Sequence, residues 1–230
     1  MRKPSELEIA VGTGARTTAL VYAAGGADHT AVGAALVLGH GAGAGQQSPF
    51  MVEFADALAD LGLDVITFNF LYTEQRRRIP DRGPVLEDCY GAVIRAVREN
   101  VDTARRTLFI GGKSMGGRIA TQVAAADAAL PVAGLVLLGY PLHPPGQPRK
   151  LRDAHLPSVR RPMLFVQGTR DTFGTPDELA PILMRLSPVP SVYAVDSGDH
   201  SFKLQRRDPA RQAELHRSIQ HTILNWIAST

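Results

Sequence analysis

The chain has 230 residues, of which 44% are hydrophobic and 20% charged, with a net charge of +3. That supplies one substantial core, is too short for two typical catalytic domains and is too apolar for a disordered chain. The mild charge and the 6% aromatic content argue against a nucleic-acid partner, and the lone cysteine, Cys89, rules out an intrachain disulfide.

The opening MRKPSELEIAVG has no apolar segment of the signal-peptide kind, and no apolar run approaches the length of a membrane span. A single cytoplasmic domain over 1–230, without membrane attachment, is expected. LEIAVG (7–12) and TTALVYAAG (17–25) read as an antiparallel pair. GAALVLGH (33–40) reads as a buried strand leading into a glycine-rich loop. PFMVEFADALADLG (49–62) has helical spacing, and Gly62 sits where the helix would stop. DVITFNF (64–70) is strand-like, and PVLEDCYGAVIRAVREN (84–100) is an amphipathic helix with Pro84 at its start.

TLFIGG (107–112) reads as a strand, and MGGRIATQVAAAD (115–127) as the helix after it. AGLVLLGYP (133–141), RPMLFVQG (161–168) and SVYAVDSG (191–198) are further strands. The chain from Pro209 to Thr230 reads as a long helix. From residue 33 onward the strands are continuous runs of Val, Leu, Ile and Phe, the pattern of parallel strands covered on both faces. The fold class expected is α/β, with a doubly wound, mostly parallel sheet. In such sheets ligands bind beyond the carboxyl ends of the strands, so each loop after a strand is a candidate for chemistry.

The junction LFIGGKSMGGRIA (108–120) runs from strand through glycines to helix. A phosphate-binding loop would need a leading glycine at position 107, which is Thr107. The other reading is G-x-S-x-G, here Gly112-Lys113-Ser114-Met115-Gly116, a nucleophile elbow that presents a serine on a sharp turn. A bare match is weak. A strand before it and a helix after it strengthen it. Partners for Ser114 arrive in the order serine, acid, histidine: Asp171 after strand 161–168 and His200 after strand 191–198. Thr175-Pro176-Asp177-Glu178 matches a capping box, which leaves Asp171 free for another task. Asp196 and Asp199 are alternative acids beside the histidine, whereas His216 and His221 fall on the last helix and read as bystanders.

The N–H of Met115, at the helix start, and that of Ala42, in LGHGAGAG (38–45), are candidate oxyanion donors. Gly39-x-Gly41-x-x-Ala44 also satisfies a loose dinucleotide pattern, but no helix opens directly after it. No cofactor is expected. His143 and His155 are lone histidines, and no metal site is expected. Lys113 is expected to point away from the nucleophile into solvent. The substrate pocket is expected from His40, Gly41, Tyr72, Tyr140, Leu142 and His143.

Together HGAGAG, GGKSMGGR, GYPLHPPG, QGTRDTFG and SGDHSF resemble the α/β-hydrolase superfamily, near its dienelactone-hydrolase-like group. They are most similar to the branch of small hydrolase domains like testis-expressed protein 30 and non-specific-lethal complex subunit 3. The resemblance implies Ser114, Asp171 and His200 as the triad, with serine where dienelactone hydrolase carries cysteine. The stretch 141–162 is long enough for a short helix around LRDAHL but for no cap domain, so an open, shallow pocket is expected.

A serine hydrolase acting on a small-molecule carboxylester or thioester through an acyl-enzyme is the function expected. The alternative is a catalytically silent interaction module of a larger assembly; protein partners are not specified by the sequence. Arg76, Arg77, Arg78 and Arg82 in one loop, with Arg149, Lys150, Arg152, Arg160 and Arg161 in another, suggest a basic rim favouring anionic substrates. The plainer reading is two solvated loops.

Overall fold

The computed structural model describes residues 3–25, 31–206 and 208–230. β1 (Ser5–Val11) and β2 (Ala15–Tyr22) form the expected antiparallel pair, with Ser5 opposite Val21. β2 continues antiparallel onto β4 (Asp64–Phe68). The remaining strands, β3 (Ala35–Gly39), β5 (Leu108–Lys113), β6 (Gly134–Leu138), β7 (Met163–Gly168) and β8 (Ser191–Val195), run parallel. The spatial order is β1-β2-β4-β3-β5-β6-β7-β8. The chain winds outward from β3 to β4, then crosses back to β5 on the other side. The switch lies between β3 and β5, where such sheets open a crevice.

Alternation along the apolar strands feeds two separate cores. Val37, Ile110, Leu137 and Phe165 face one side, packed on α3 (Gly83–Asn100), α5 (Met115–Ala126) and α6 (Pro176–Leu183). Leu36, Leu38, Phe109, Val136 and Val166 face the other, under α1 (Pro49–Asp60) and α7 (Pro209–Ser229). Each buried Leu, Ile or Phe contributes about 1.5–3 kcal/mol of transfer free energy, so this two-sided burial is what makes continuous apolar strands necessary. Among the described residues no helix is long and apolar enough to cross a membrane.

Several local expectations shift; the strands expected over 133–141 and 191–198 end already at Leu138 and Val195. The strand expected over 64–70 ends at Phe68, because Asn69 and Phe70 turn out of the ladder and the Phe70 N–H donates to His40 Nε2 at 3.2 Å. A one-turn helix, α2 (Leu71–Glu74), follows, and another, α4 (Asp102–Arg106), precedes β5. Neither is long enough to show a periodicity. The helix expected around LRDAHL is a 3₁₀ turn, Leu156–Ser158, starting one residue before Pro157. That turn is the sole helical piece among residues 139–162, so no cap covers the carboxyl edge between β6 and β7.

At the sheet centre α5 crosses close over the end of β3. A Cβ on Gly116 would lie 2.1 Å from the Gly39 carbonyl oxygen, and one on Gly112 would lie 2.2 Å from the same atom. Both glycines therefore make way for the β3 backbone, more than for each other. Gly116→Ala should force the helix off the sheet and cost about 3 kcal/mol, read as a fall in Tm of about 9 °C.

Candidate active site

Ser114 closes β5 and caps α5 with φ 51° and ψ −113°, a conformation that non-glycine residues rarely adopt. Two backbone bonds hold the turn: the Ser114 N–H donates to the Leu138 carbonyl at 2.9 Å, and the Arg118 N–H donates to the Ser114 carbonyl at 3.1 Å. The side chain is thereby lifted above the carboxyl edge at the switch point.

Asp171 and His200 arrive on the loops after β7 and β8. Those loops touch at Gly168, where a Cβ would lie 2.4 Å from the Gly198 carbonyl oxygen and 2.6 Å from that of Asp199. This contact of bare backbones brings the carboxylate and the imidazole together. His200 Nδ1 lies 2.8 Å from Asp171 Oδ2, and His200 Nε2 lies 2.8 Å from Ser114 Oγ. With Nδ1–H donating to the carboxylate, Nε2 is left to accept the serine proton. Phe173 stacks on the imidazole with ring centroids 4.2 Å apart, holding its plane.

Asp171 is only 1% exposed, so its charge depends on donors. Gln167 Nε2 donates to Oδ2 at 2.8 Å and the Phe173 N–H donates to Oδ1 at 2.8 Å. Gln167 also accepts from the Tyr140 N–H at 2.8 Å and donates to the Gly174 carbonyl at 2.6 Å. It was not singled out from the sequence; its signal was a lone amide in an apolar strand, RPMLFVQG. The capping box over Thr175–Glu178 forms as expected and starts α6 just beyond Asp171. Asp199 is engaged elsewhere, accepting from the Ser201 and Lys203 N–H groups at 2.8 and 2.9 Å. Asp196 is exposed.

A cavity of about 1030 Å³ opens over Ser114, larger than the shallow pocket expected. Its wall includes Gly41, Ala42, Ser114, Met115 and His200. Asp81, Leu86, Arg118 and Arg152 enter from the α3–α5 side. Phe50 and Glu53 of α1, Lys203, and Gln212 and His216 of α7 enter from the other. The extra depth comes from α7 and the loop before it, which build a wall above the sheet edge. Among the described residues the N–H groups of Ala42 and Met115 donate to no protein acceptor.

Of the six expected pocket residues, only Gly41 reaches the cavity wall; His40, Tyr72, Tyr140, Leu142 and His143 are buried behind it. His40 Nδ1–H donates to the Gly41 carbonyl at 2.9 Å, while Nε2 accepts from Phe70 N–H and faces Thr73 Oγ1 at 3.3 Å. The ring ties the loop after β3 to the loop after β4, and burial lowers its pKa. Tyr140 donates to the Arg152 carbonyl at 2.6 Å, Leu142 packs under Gly174, and His143 Nε2 lies 3.3 Å from Glu178.

Lys113 also departs from expectation, being 8% exposed rather than solvated. His216, read as a bystander, lines the cavity and pairs with Glu53 at 2.6 Å. Of the basic loops only Arg152 lines the cavity. Arg160 and Arg161 precede β7 and so sit at the amino edge of the sheet, away from Ser114, and Arg77 pairs with Asp81 at 2.6 Å. Among the described residues no group of three or more His, Cys, Asp or Glu side chains is placed to hold a metal ion.

The family model described as an alpha/beta hydrolase domain matches residues 32–228. The chain belongs to this family. Solved structures share the hydrolase fold. A serine hydrolase without a lid from Xanthomonas campestris is 23% identical, with a TM-score of 0.73 over 98% of this chain and 96% of its own. A dienelactone hydrolase from Anabaena variabilis is 19% identical, with a TM-score of 0.71 over 97% and 99%. A Pyrococcus furiosus esterase is 13% identical, with a TM-score of 0.73 over 98% and 92%.

Within this candidate site Gln167 has the most partners to lose. Gln167→Leu would strand the Tyr140 N–H and the Gly174 carbonyl and take one of the donors from Asp171 Oδ2. It should cost about 3 kcal/mol in a urea melt.

Proposed function

We propose that this α/β hydrolase is a serine hydrolase that cleaves a carboxylester or thioester through Ser114, His200 and Asp171. The single observation supporting this is the pair of 2.8 Å contacts that run from Asp171 through His200 to Ser114 Oγ. The reaction follows from that line. Ser114 Oγ attacks the carbonyl carbon as its proton passes to His200 Nε2, and Asp171 stabilises the imidazolium that results. The carbonyl oxygen becomes an oxyanion and takes the N–H groups of Met115 and Ala42, each worth about 3 kcal/mol in the transition state. Collapse breaks the bond to the leaving alcohol or thiol, which receives the proton from His200. Water then attacks the acyl-serine, giving its proton to His200, and the acid leaves as Ser114 recovers its hydrogen.

A silent interaction module would have no need of this alignment. From the motifs HGAGAG, GGKSMGGR and SGDHSF we also propose that, within the family, the chain falls near the small hydrolase domains like testis-expressed protein 30 and non-specific-lethal complex subunit 3. We further propose an anionic acyl substrate. Arg118 and Arg152 line the cavity and, among the described residues, neither forms an ion pair. Burial, with Arg118 beside it, presses the Arg152 guanidinium below its usual range. Like charges left without a carboxylate favour an anion from solution.

Fluorophosphonate labelling tests the first claim. Wild type should label at Ser114, and Ser114→Ala should lose both labelling and turnover at near wild-type Tm. A folded wild type that does not label sinks the nucleophile assignment. For the second claim, p-nitrophenyl hemisuccinate is compared with p-nitrophenyl butyrate. Arg118→Gln with Arg152→Gln should raise KM for the anionic ester about tenfold and leave the neutral one unchanged. Equal wild-type rates for the two esters, insensitive to salt, would remove the anion preference.

A further inference from the structure

Lys113 immediately precedes Ser114, yet its side chain is buried. The two-residue alternation of β5 puts it on the same side as Phe109, so its stem runs across the α1–α7 face. The ammonium ends over the rings of Phe50 and Phe202, 5.9 and 5.5 Å from their centroids, and donates to the His200 carbonyl. Gly139 leaves the space for this contact. A Cβ there would lie 2.9 Å from Lys113 Nζ and 3.0 Å from the His200 carbonyl oxygen.

Stability alone does not explain a lysine here. Among the described residues it has no ion-pair partner, and burying an unpaired ammonium is unfavourable where an apolar side chain would pack. The rest of the loop is held by other means. Asp199 closes the turn beneath Ser201 and Lys203. Gln212 ties the far end to α7, accepting from the Leu204 N–H at 3.0 Å and donating to the Phe202 carbonyl at 2.8 Å. These contacts fix the shape of the loop. The Lys113 contact fixes the place of His200 itself against the strand that carries Ser114.

Resting on the reading of Ser114 and His200 as nucleophile and base, we propose that Lys113 is a positioning residue that braces the main chain of His200 and sets the reach of its imidazole to Ser114 Oγ. The charged form makes the brace strong, because an ammonium grips a carbonyl harder than an amine. Burial pulls the Lys113 pKa down to about 8, against the opposing pull of Asp171 and Asp199. The other titratable groups around it are His200 on the same loop and the Glu53–His216 pair, contributed by α1 and α7 to the cavity wall.

Lys113→Met and Lys113→Arg, compared with wild type from about pH 6 to about pH 10, test the brace. The Met variant should lose about tenfold or more in kcat, with KM within about twofold. Its Tm should stay within about 5 °C of wild type, since a buried charge leaves with the hydrogen bond. Wild-type kcat should fall with an inflection near pH 8 that the Met variant lacks. The Arg variant, which keeps its charge, should recover part of the rate and move the inflection upward.

Stability should run the opposite way. Between about 8 and the ordinary lysine value of 10.5, the unfolded chain holds a proton that the folded protein has shed. Wild type therefore gains stability relative to the Met variant as pH rises through that window. Hydrogen exchange supplies a readout independent of turnover, with faster exchange expected over 198–202 in the Met variant. Wild-type kcat, pH profile and exchange in that variant would overturn the brace. If wild type neither labels nor turns over, the nucleophile reading has failed, and exchange still decides whether Lys113 holds the loop.

Discussion

The contact on which the rest depends is between backbones. Gly39, ending β3, lies against the first turn of α5 so closely that neither Gly112 nor Gly116 has room for a Cβ. That approach seats α5 directly over the switch between β3 and β5. The chain must then turn from strand to helix within one residue, and Ser114 takes that turn at φ 51°. Backbone strain of this kind costs about 1–3 kcal/mol and persists because the packing on both sides over-determines it. It leaves the serine hydroxyl at the edge of the sheet instead of inside it.

A second approach of bare backbones, at Gly168, does for Asp171 and His200 what the first does for Ser114. The two loops come from neighbouring parallel strands, so their starting points are a strand spacing apart. A buried carboxylate is costly unless donors surround it, and Gln167 and the Phe173 N–H supply them. The imidazole is then held on one side by Asp171 and on its face by Phe173. The three residues thus belong to a wider polar network, of which Asp171 and Gln167 lie buried behind the cavity wall.

His40 and Lys113 are two further members, and both sit where a purely apolar core would be more comfortable. His40 joins the loops after β3 and β4, keeping the glycine-rich segment with Ala42 beside Ser114. Lys113 joins β5 to the loop after β8. Each spends burial of a polar group on the relative placement of two loops. Placement of that kind is what the proposed acyl transfer would ask of the scaffold, since its reacting groups must meet within a fraction of an ångström.

The sequence by itself determined the layered α/β fold. Continuous apolar strands alternating with helical periodicities leave few other ways to bury both sheet faces. It also carried the G-x-S-x-G junction and the order of Ser114, Asp171 and His200 after successive strands, because those signals are local or depend only on sequence order. Only the tertiary structure decided which way the loop side chains turn. His40, Tyr72, Tyr140, Leu142 and His143 read as pocket residues by position, yet burial turns them inward. Lys113 read as a solvated residue and His216 as a bystander, yet both line the cavity, as does Arg118. The reason is physical: a helix or strand period records which face a residue occupies, but not what other loops bring against it. Those contacts join residues such as Lys113 and His200, which lie 87 positions apart, and no local pattern encodes that distance.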